Sequence, residues 1–257
     1  MLEERACEVG GIDVRYRVAG TGPPTVLVHG LAGSWRWWEP VITQLATSLR
    51  VYLVDLPGFG SARGQTFVLG DAPSYVRSLL AQIGLERANL VGYSLGGAVC
   101  ARVAALWPQT VDRLVLAAPA GLLERRHPAQ YALPLAAALR HARPAFLRVV
   151  LADSLRAGVL TLYHAATQLL GEDALRDELH SISAPTLLIW GDRDPLVPLR
   201  LAQEYERAIP HAQLVVFDGV GHIAMAERPN GFSQVILDFL DERCEAEPTI
   251  SFGTRPS

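Results

Sequence analysis

The chain has 257 residues, 23 basic and 26 acidic side chains, half its residues apolar and 19% charged, the profile of a folded protein rather than of a chain disordered as a whole. All 23 basic residues are arginine, so side-chain Schiff-base chemistry, a P-loop lysine and a Ser-Lys nucleophile pair are excluded. A net charge of −3 gives no cationic track for a nucleic acid.

The N-terminal residues alternate: Ile12 to Val18 after Gly10-Gly11 reads as a strand paired with Arg5 to Val9 through a tight turn. Beyond it the texture changes to short unbroken apolar runs: Thr25–Val28, Val51–Val54, Ala88–Val91, Val111–Ala117, Thr186–Trp190 and Gln213–Phe217. Runs apolar on both faces are strands buried in a parallel sheet. The intervals Trp37–Leu49, Pro73–Ile83, Ser94–Trp107 and Leu199–Ala208 are long enough for crossover helices. The expected fold is therefore α/β, a mostly parallel central sheet with helices on both faces.

One interval breaks the rhythm. Ala117 and Thr186 are separated by far more chain than a crossover needs, and Gln130–Leu179 is rich in Ala, Leu and Arg, punctuated by Pro134, Pro144, Gly158 and Gly171. It reads as an inserted helical cap. The expected organisation is a core over 1–119 and 183–244, a cap or lid over 120–182, and a frayed tail over 245–257. Cys7, Cys100 and Cys244 are odd in number and far apart, so neither a disulfide framework nor a metal site is expected. With no signal peptide and no apolar stretch long enough to span a membrane, the expected location is cytoplasmic.

Gly92-Tyr93-Ser94-Leu95-Gly96 is a G-x-S-x-G pattern between an apolar run and a helix-like stretch, the strand-turn-helix setting that lifts a serine hydroxyl out of a sheet. A serine hydroxyl needs a base, and the base needs a group that fixes its tautomer. Of seven histidines, His222 in Asp218-Gly219-Val220-Gly221-His222 lies in a flexible loop just after a buried strand. Gly191-Asp192-Arg193-Asp194-Pro195 supplies two carboxylates after another strand, and the residues alone leave both open as the acid.

With nucleophile, acid and histidine in that order, the chain resembles the α/β-hydrolase family, a serine-nucleophile branch with a helical cap, over roughly Ile12 to Leu240. His29-Gly30 is similar to that family's oxyanion loop, Asp55-Leu56-Pro57-Gly58-Phe59-Gly60-Ser61 to its turn after the next strand, and Gly221-His222 to its histidine loop. The resemblance implies Asp194 as the acid, three residues after Gly191 and four before Pro198, and leaves Asp192 to a turn. It also implies the backbone amides of Leu31 and Leu95 as oxyanion donors. Serine at the nucleophile position sets the chain apart from the related dehalogenases and epoxide hydrolases, which use a carboxylate there.

Trp35, Trp37 and Trp38 cluster past the oxyanion loop and the cap is rich in apolar residues, so an apolar cleft is expected. Trp35, Tyr93, Tyr131, Leu135, Phe146, Leu160 and Tyr163 are the candidate substrate-binding residues. From Gly121 to Leu162 the cap carries six Arg and two acids, a charge that suits an anionic head group or a solvated helix face equally. The expected activity is hydrolysis of small to medium apolar carboxylic esters by Ser94, His222 and Asp194, without cofactor or metal. Fold and triad do not choose the bond, so a carbon–carbon bond hydrolase, a thioesterase, a cofactor-free peroxidase and a ligand-binding receptor with a vestigial triad are the alternatives. A small-molecule ester is the expected partner, and monomer and homodimer are both open.

Overall fold

A computed structural model describes residues 1–124, 127–140, 142–171 and 174–241; the expected tail over 245–257 and Cys244 lie outside the described residues. The chain opens with a hairpin of β1 (Glu3–Val9) and β2 (Ile12–Ala19), closed by Gly10-Gly11, both at positive φ as a two-residue turn matched to strand twist requires. Then follow β3 (Pro24–Val28), α1 (Glu39–Leu45), β4 (Arg50–Val54), α2 (Ala72–Gln82), β5 (Ala88–Tyr93), α3 (Leu95–Leu106) and β6 (Val111–Ala117). Four helices fill the long interval: α4 (Ala132–Leu139), α5 (Pro144–Ala157), α6 (Val159–Gly171) and α7 (Ala174–Glu178). The chain returns through β7 (Thr186–Gly191), α8 (Leu199–Ala208), β8 (Ala212–Phe217), α9 (Ala224–Glu227) and α10 (Pro229–Asp241).

The strands form one eight-stranded sheet in the order β1-β2-β4-β3-β5-β6-β7-β8, parallel from β4 to β8, with β1 and β2 antiparallel at one edge. β5 and β7 are buried along their whole length, which explains why they read as unbroken apolar runs. One face is covered by α2, α3 and α8, whose Val76, Leu79, Val99, Val103 and Leu201 join one core cluster. The other is covered by α1 and α10 through Val41, Leu45, Phe232 and Ile236.

The single helix expected over Trp37–Leu49 is split. Ser34 caps a 3₁₀ turn over Trp35–Trp38, and Pro40, which has no amide to donate, sits in the first turn of α1.

The register aligns the ends that matter. Val28 pairs with Gly92, Tyr93 with Ala117, Ala117 with Ile189 and Gly191 with Phe217, so β3, β5, β6, β7 and β8 end at one edge. The oxyanion-type loop, Ser94, the inserted helices, Asp194 and His222 therefore leave the sheet together. Chain order reverses about β3, whose neighbours are β4 and β5, and this is where open α/β sheets form a crevice.

Candidate active site

Ser94 sits at the junction of β5 and α3 with φ 52° and ψ −115°, a left-handed conformation rare for a residue with a side chain. The turn is over-determined. The Ser94 amide donates to the Ala117 carbonyl at 2.9 Å, and the Ser94 carbonyl accepts from Ala98 and Ala120, each at 3.1 Å. A Cβ on Gly96 would overlap the Val28 and His29 carbonyl oxygens, and one on Gly92 would overlap Gly96. The two glycines of the motif are required by close backbone approach, and the strain at Ser94 exposes its hydroxyl at the sheet edge.

That hydroxyl meets His222. Ser94 Oγ lies 3.1 Å from His222 Nε2, and His222 Nδ1 lies 2.7 Å from Asp194 Oδ2. Asp194 Oδ1 accepts the Leu196 and Val197 amides, both at 2.8 Å, which fixes the carboxylate's orientation. A carboxylate can only accept, so Nδ1 carries the proton and Nε2 presents its lone pair to Ser94. All three residues are buried, at 6%, 4% and 7% exposure for Ser94, His222 and Asp194. Asp192 stands apart: its carboxylate accepts the Gly219 amide at 2.6 Å and braces the histidine loop.

The loop after β3 is held as tightly. His29 is fully buried; its Nδ1–H donates to the Gly30 carbonyl at 2.7 Å and its Nε2 accepts the Leu56 amide at 3.0 Å. Burial pushes the His29 pKa down against the opposing pull of Asp55, so the ring is neutral and bonds as a neutral tautomer. The Gly33 amide closes the turn on the Gly30 carbonyl at 3.0 Å. Gly30 packs on the Tyr93 ring and the Ser94 Cβ, so the loop carrying Leu31 lies beside the hydroxyl, while Leu95 opens α3.

Two carboxylates hold these loops: Asp55, which the sequence placed in a turn motif without a role, and Glu227, which it did not single out. Asp55 accepts the Trp35 amide at 2.6 Å and, on its other oxygen, the Ser61 amide at 2.8 Å and hydroxyl at 2.7 Å. Glu227 accepts the amides on either side of His222, from Gly221 at 3.0 Å and Ile223 at 3.3 Å. The spacing of five residues between His222 and Glu227, across a helix start, is the signal available in the sequence.

The candidate pocket residues divide. Tyr93 is fully buried with its ring centroid 5.1 Å from that of His222, and its phenol pKa is raised by burial first and by Asp194 and Glu227 next, so the hydroxyl stays protonated. Phe146 of α5 packs edge-on against Trp37 at 5.7 Å, and Trp37 lies 6.0 Å from Tyr93, an aromatic chain from α5 to the catalytic edge. Trp35 is partly buried beneath the Arg17 guanidinium, 4.2 Å away. Tyr131 lines a cavity of about 140 Å³ between the inserted segment and Pro195, Leu196 and Pro198 of the acid loop. Leu135, Leu160 and Tyr163 are 48%, 74% and 47% exposed. Elsewhere in these helices α4 buries Ala138 and α6 buries Ala165, Leu169 and Leu170.

A strained serine at a strand-to-helix turn, with loops gathered at the carboxyl ends of a parallel sheet, defines a class of fold and site. A family model described as the alpha/beta hydrolase family matches residues 25–235, and the chain belongs to that family. The chain is 34% identical over 255 residues to the dihydrolipoyllysine-residue acetyltransferase component of the acetoin cleaving system of Pseudomonas putida, covering 91% of this chain and 68% of that one. It is 28% identical over 253 residues to a pimeloyl-[acyl-carrier protein] methyl ester esterase of Vibrio vulnificus, covering 88% and 98%. Among solved structures it is similar to a bacterial membrane phospholipase A, with a TM-score of 0.73, 27% identity and coverage of 93% and 86%. No described helix of this chain is long and apolar enough to cross a membrane.

Proposed function

We propose that this chain is a serine hydrolase of carboxylic esters with small to medium apolar acyl groups. The observation that carries the reading is the hydrogen-bonded series Ser94–His222–Asp194 on a strained turn. Ser94 Oγ attacks the ester carbonyl while His222 Nε2 takes its proton, and the carbonyl π electrons move to oxygen. The oxyanion is held by the Leu31 and Leu95 amides, which need no side chain and are fixed by the turns around them. Collapse breaks the acyl–oxygen bond, and His222 returns the proton to the departing alcohol. Water, deprotonated by His222, then releases the acid and regenerates Ser94. Asp194 holds the imidazole in the tautomer that both steps need.

Two similarities support an ester as substrate: a methyl ester esterase and a phospholipase by the names of those proteins. The aromatic chain Tyr93–Trp37–Phe146 supports an apolar acyl group, since it supplies apolar surface beside His222. The test is a fluorophosphonate label mapped by peptide mass, together with turnover of a C2 to C12 p-nitrophenyl ester series. Label on Ser94 and saturable turnover are expected. An unlabelled Ser94 in folded protein sinks the reading.

A further inference from the structure

One carboxylate of the inserted helices leaves its own layer. Asp153 of α5 is 3% exposed, and it reaches the segment that follows the loop of Leu31. Its Oδ2 accepts the Ser34 hydroxyl at 2.6 Å, and its Oδ1 takes the Arg36 guanidinium, with Arg156 at 3.3 Å. Ser34 is also the N-cap of the 3₁₀ turn Trp35–Trp38, accepting the Arg36 amide at 3.3 Å. One hydroxyl thus joins three elements: the loop from β3, the aromatic turn and helix α5. Phe146, Val150 and Asp153 lie on one face of α5 at positions i, i+4 and i+7, so apolar packing on Trp37 and the polar clamp act along one seam.

The other bonds described above for residues 29–35 come from the core: Gly33 to Gly30, His29 to Gly30 and Leu56, and the Trp35 amide to Asp55. Asp153 brings the inserted helices into that set. Separating the buried carboxylate from the buried Ser34 hydroxyl and from Arg36 leaves the carboxylate and the hydroxyl desolvated without those partners, which costs more than breaking a surface pair, so α5 and Ser34 are held to one arrangement. We propose that Asp153 is a positioning residue that fixes the loop carrying the Leu31 amide through Ser34 and ties that geometry to the packing of α5 on Trp37. This rests on the serine hydrolase reading above. The predicted consequence is selective: an amide displaced by a fraction of an ångström weakens binding of the oxyanion more than binding of the neutral ester.

The experiment uses the full chain with Ser34→Ala, Asp153→Ala and the double variant. It reads kcat and KM on p-nitrophenyl butyrate, Ki for an alkyl trifluoromethyl ketone whose adduct carries an oxyanion, and fluorophosphonate labelling of Ser94. Asp153→Ala is expected to lower kcat roughly ten- to a hundredfold, less than outright loss of an oxyanion donor, with KM within about threefold. The ketone Ki should rise in proportion to the loss in kcat/KM. The double variant should be within about twofold of Asp153→Ala, because the two side chains act as one unit. Should Asp153→Ala not fold, Ser34→Ala alone must show the paired loss of kcat and ketone affinity. A folded variant with kcat within twofold of wild type, or one with raised KM and unchanged ketone affinity, overturns the inference. A wild-type protein that neither turns over nor labels overturns the serine reading instead, and this inference with it.

Discussion

Asp194→Asn probes the site most directly, because the structure gives the two neighbouring acids different partners. Asp194 Oδ2 takes the His222 Nδ1 proton at 2.7 Å, while Oδ1 is committed to the Leu196 and Val197 amides. In the asparagine variant the carbonyl oxygen satisfies those two amides, so the side-chain NH2 faces His222 and must donate. The imidazole then shifts its proton to Nε2, the atom opposite Ser94, and loses its function as base. The charge that stabilises the imidazolium is lost as well. A fall in kcat on the order of 10³ to 10⁴ is expected, about 4 to 5.5 kcal/mol of barrier. Asp192→Asn is the control, since its partner is the Gly219 amide and an asparagine oxygen accepts equally well; kcat should stay within about threefold. Steady-state turnover of p-nitrophenyl butyrate at pH 7, with folding checked by circular dichroism, decides between them. If Asp192→Asn were the more damaging of two folded variants, the assignment of the acid would be refuted.

Ser94→Ala should lower ester turnover by several orders of magnitude and keep or raise the melting temperature, because alanine lacks the hydroxyl but keeps the fold; more than about a tenth of wild-type kcat in purified protein would contradict it. Phe146→Ala should move the best substrate of a p-nitrophenyl series toward longer acyl chains by opening space beside Trp37, each further buried CH2 being worth about 0.8 kcal/mol; an unmoved maximum would show that this seam does not bind the acyl chain. Glu227→Gln leaves one of the two amides around His222 facing an NH2 group, so kcat should fall about tenfold with KM little changed. His29 carries a lowered pKa in the fold, so below its ordinary value the unfolded chain takes up a proton that the folded chain refuses, and stability falls as pH drops through about 6.5. Urea unfolding at pH 7.5 and 5.5 should show a smaller loss in His29→Asn than in wild type, and equal losses would contradict the buried neutral ring.

Local constraints carried much of this protein into its sequence. Strands buried on both faces are written with apolar residues, as in β3, β5 and β7, and the break between Ala117 and Thr186 marked the inserted helices α4–α7. A strained turn that admits no Cβ at either flank can only be written with glycines, which is why Gly92 and Gly96 identified Ser94. The sequence offered Asp192 and Asp194 equally until a family resemblance favoured the second. In the fold the two part company: Asp192 accepts the Gly219 amide and Asp194 lies against the His222 imidazole.

The same limit applies to the inserted helices. Their composition shows that they are helical but not which residues pack inward; in the fold Leu135, Leu160 and Tyr163 are exposed and Phe146 is buried. Glu227 and Asp153 carry no motif of their own and Asp55 stood in a turn motif that did not give its role, since a carboxylate that braces a loop is recognised by the amides or the hydroxyl it meets. Two of those meetings link residues distant in the chain, Trp35 with Asp55 and Ser34 with Asp153. The sequence therefore determined the sheet, the strained serine and the order of the reacting groups, because each is enforced by near neighbours in the chain. Tertiary structure decided which carboxylate meets the histidine and which residues of the inserted helices are buried, because those depend on side chains that meet only after the sheet has formed.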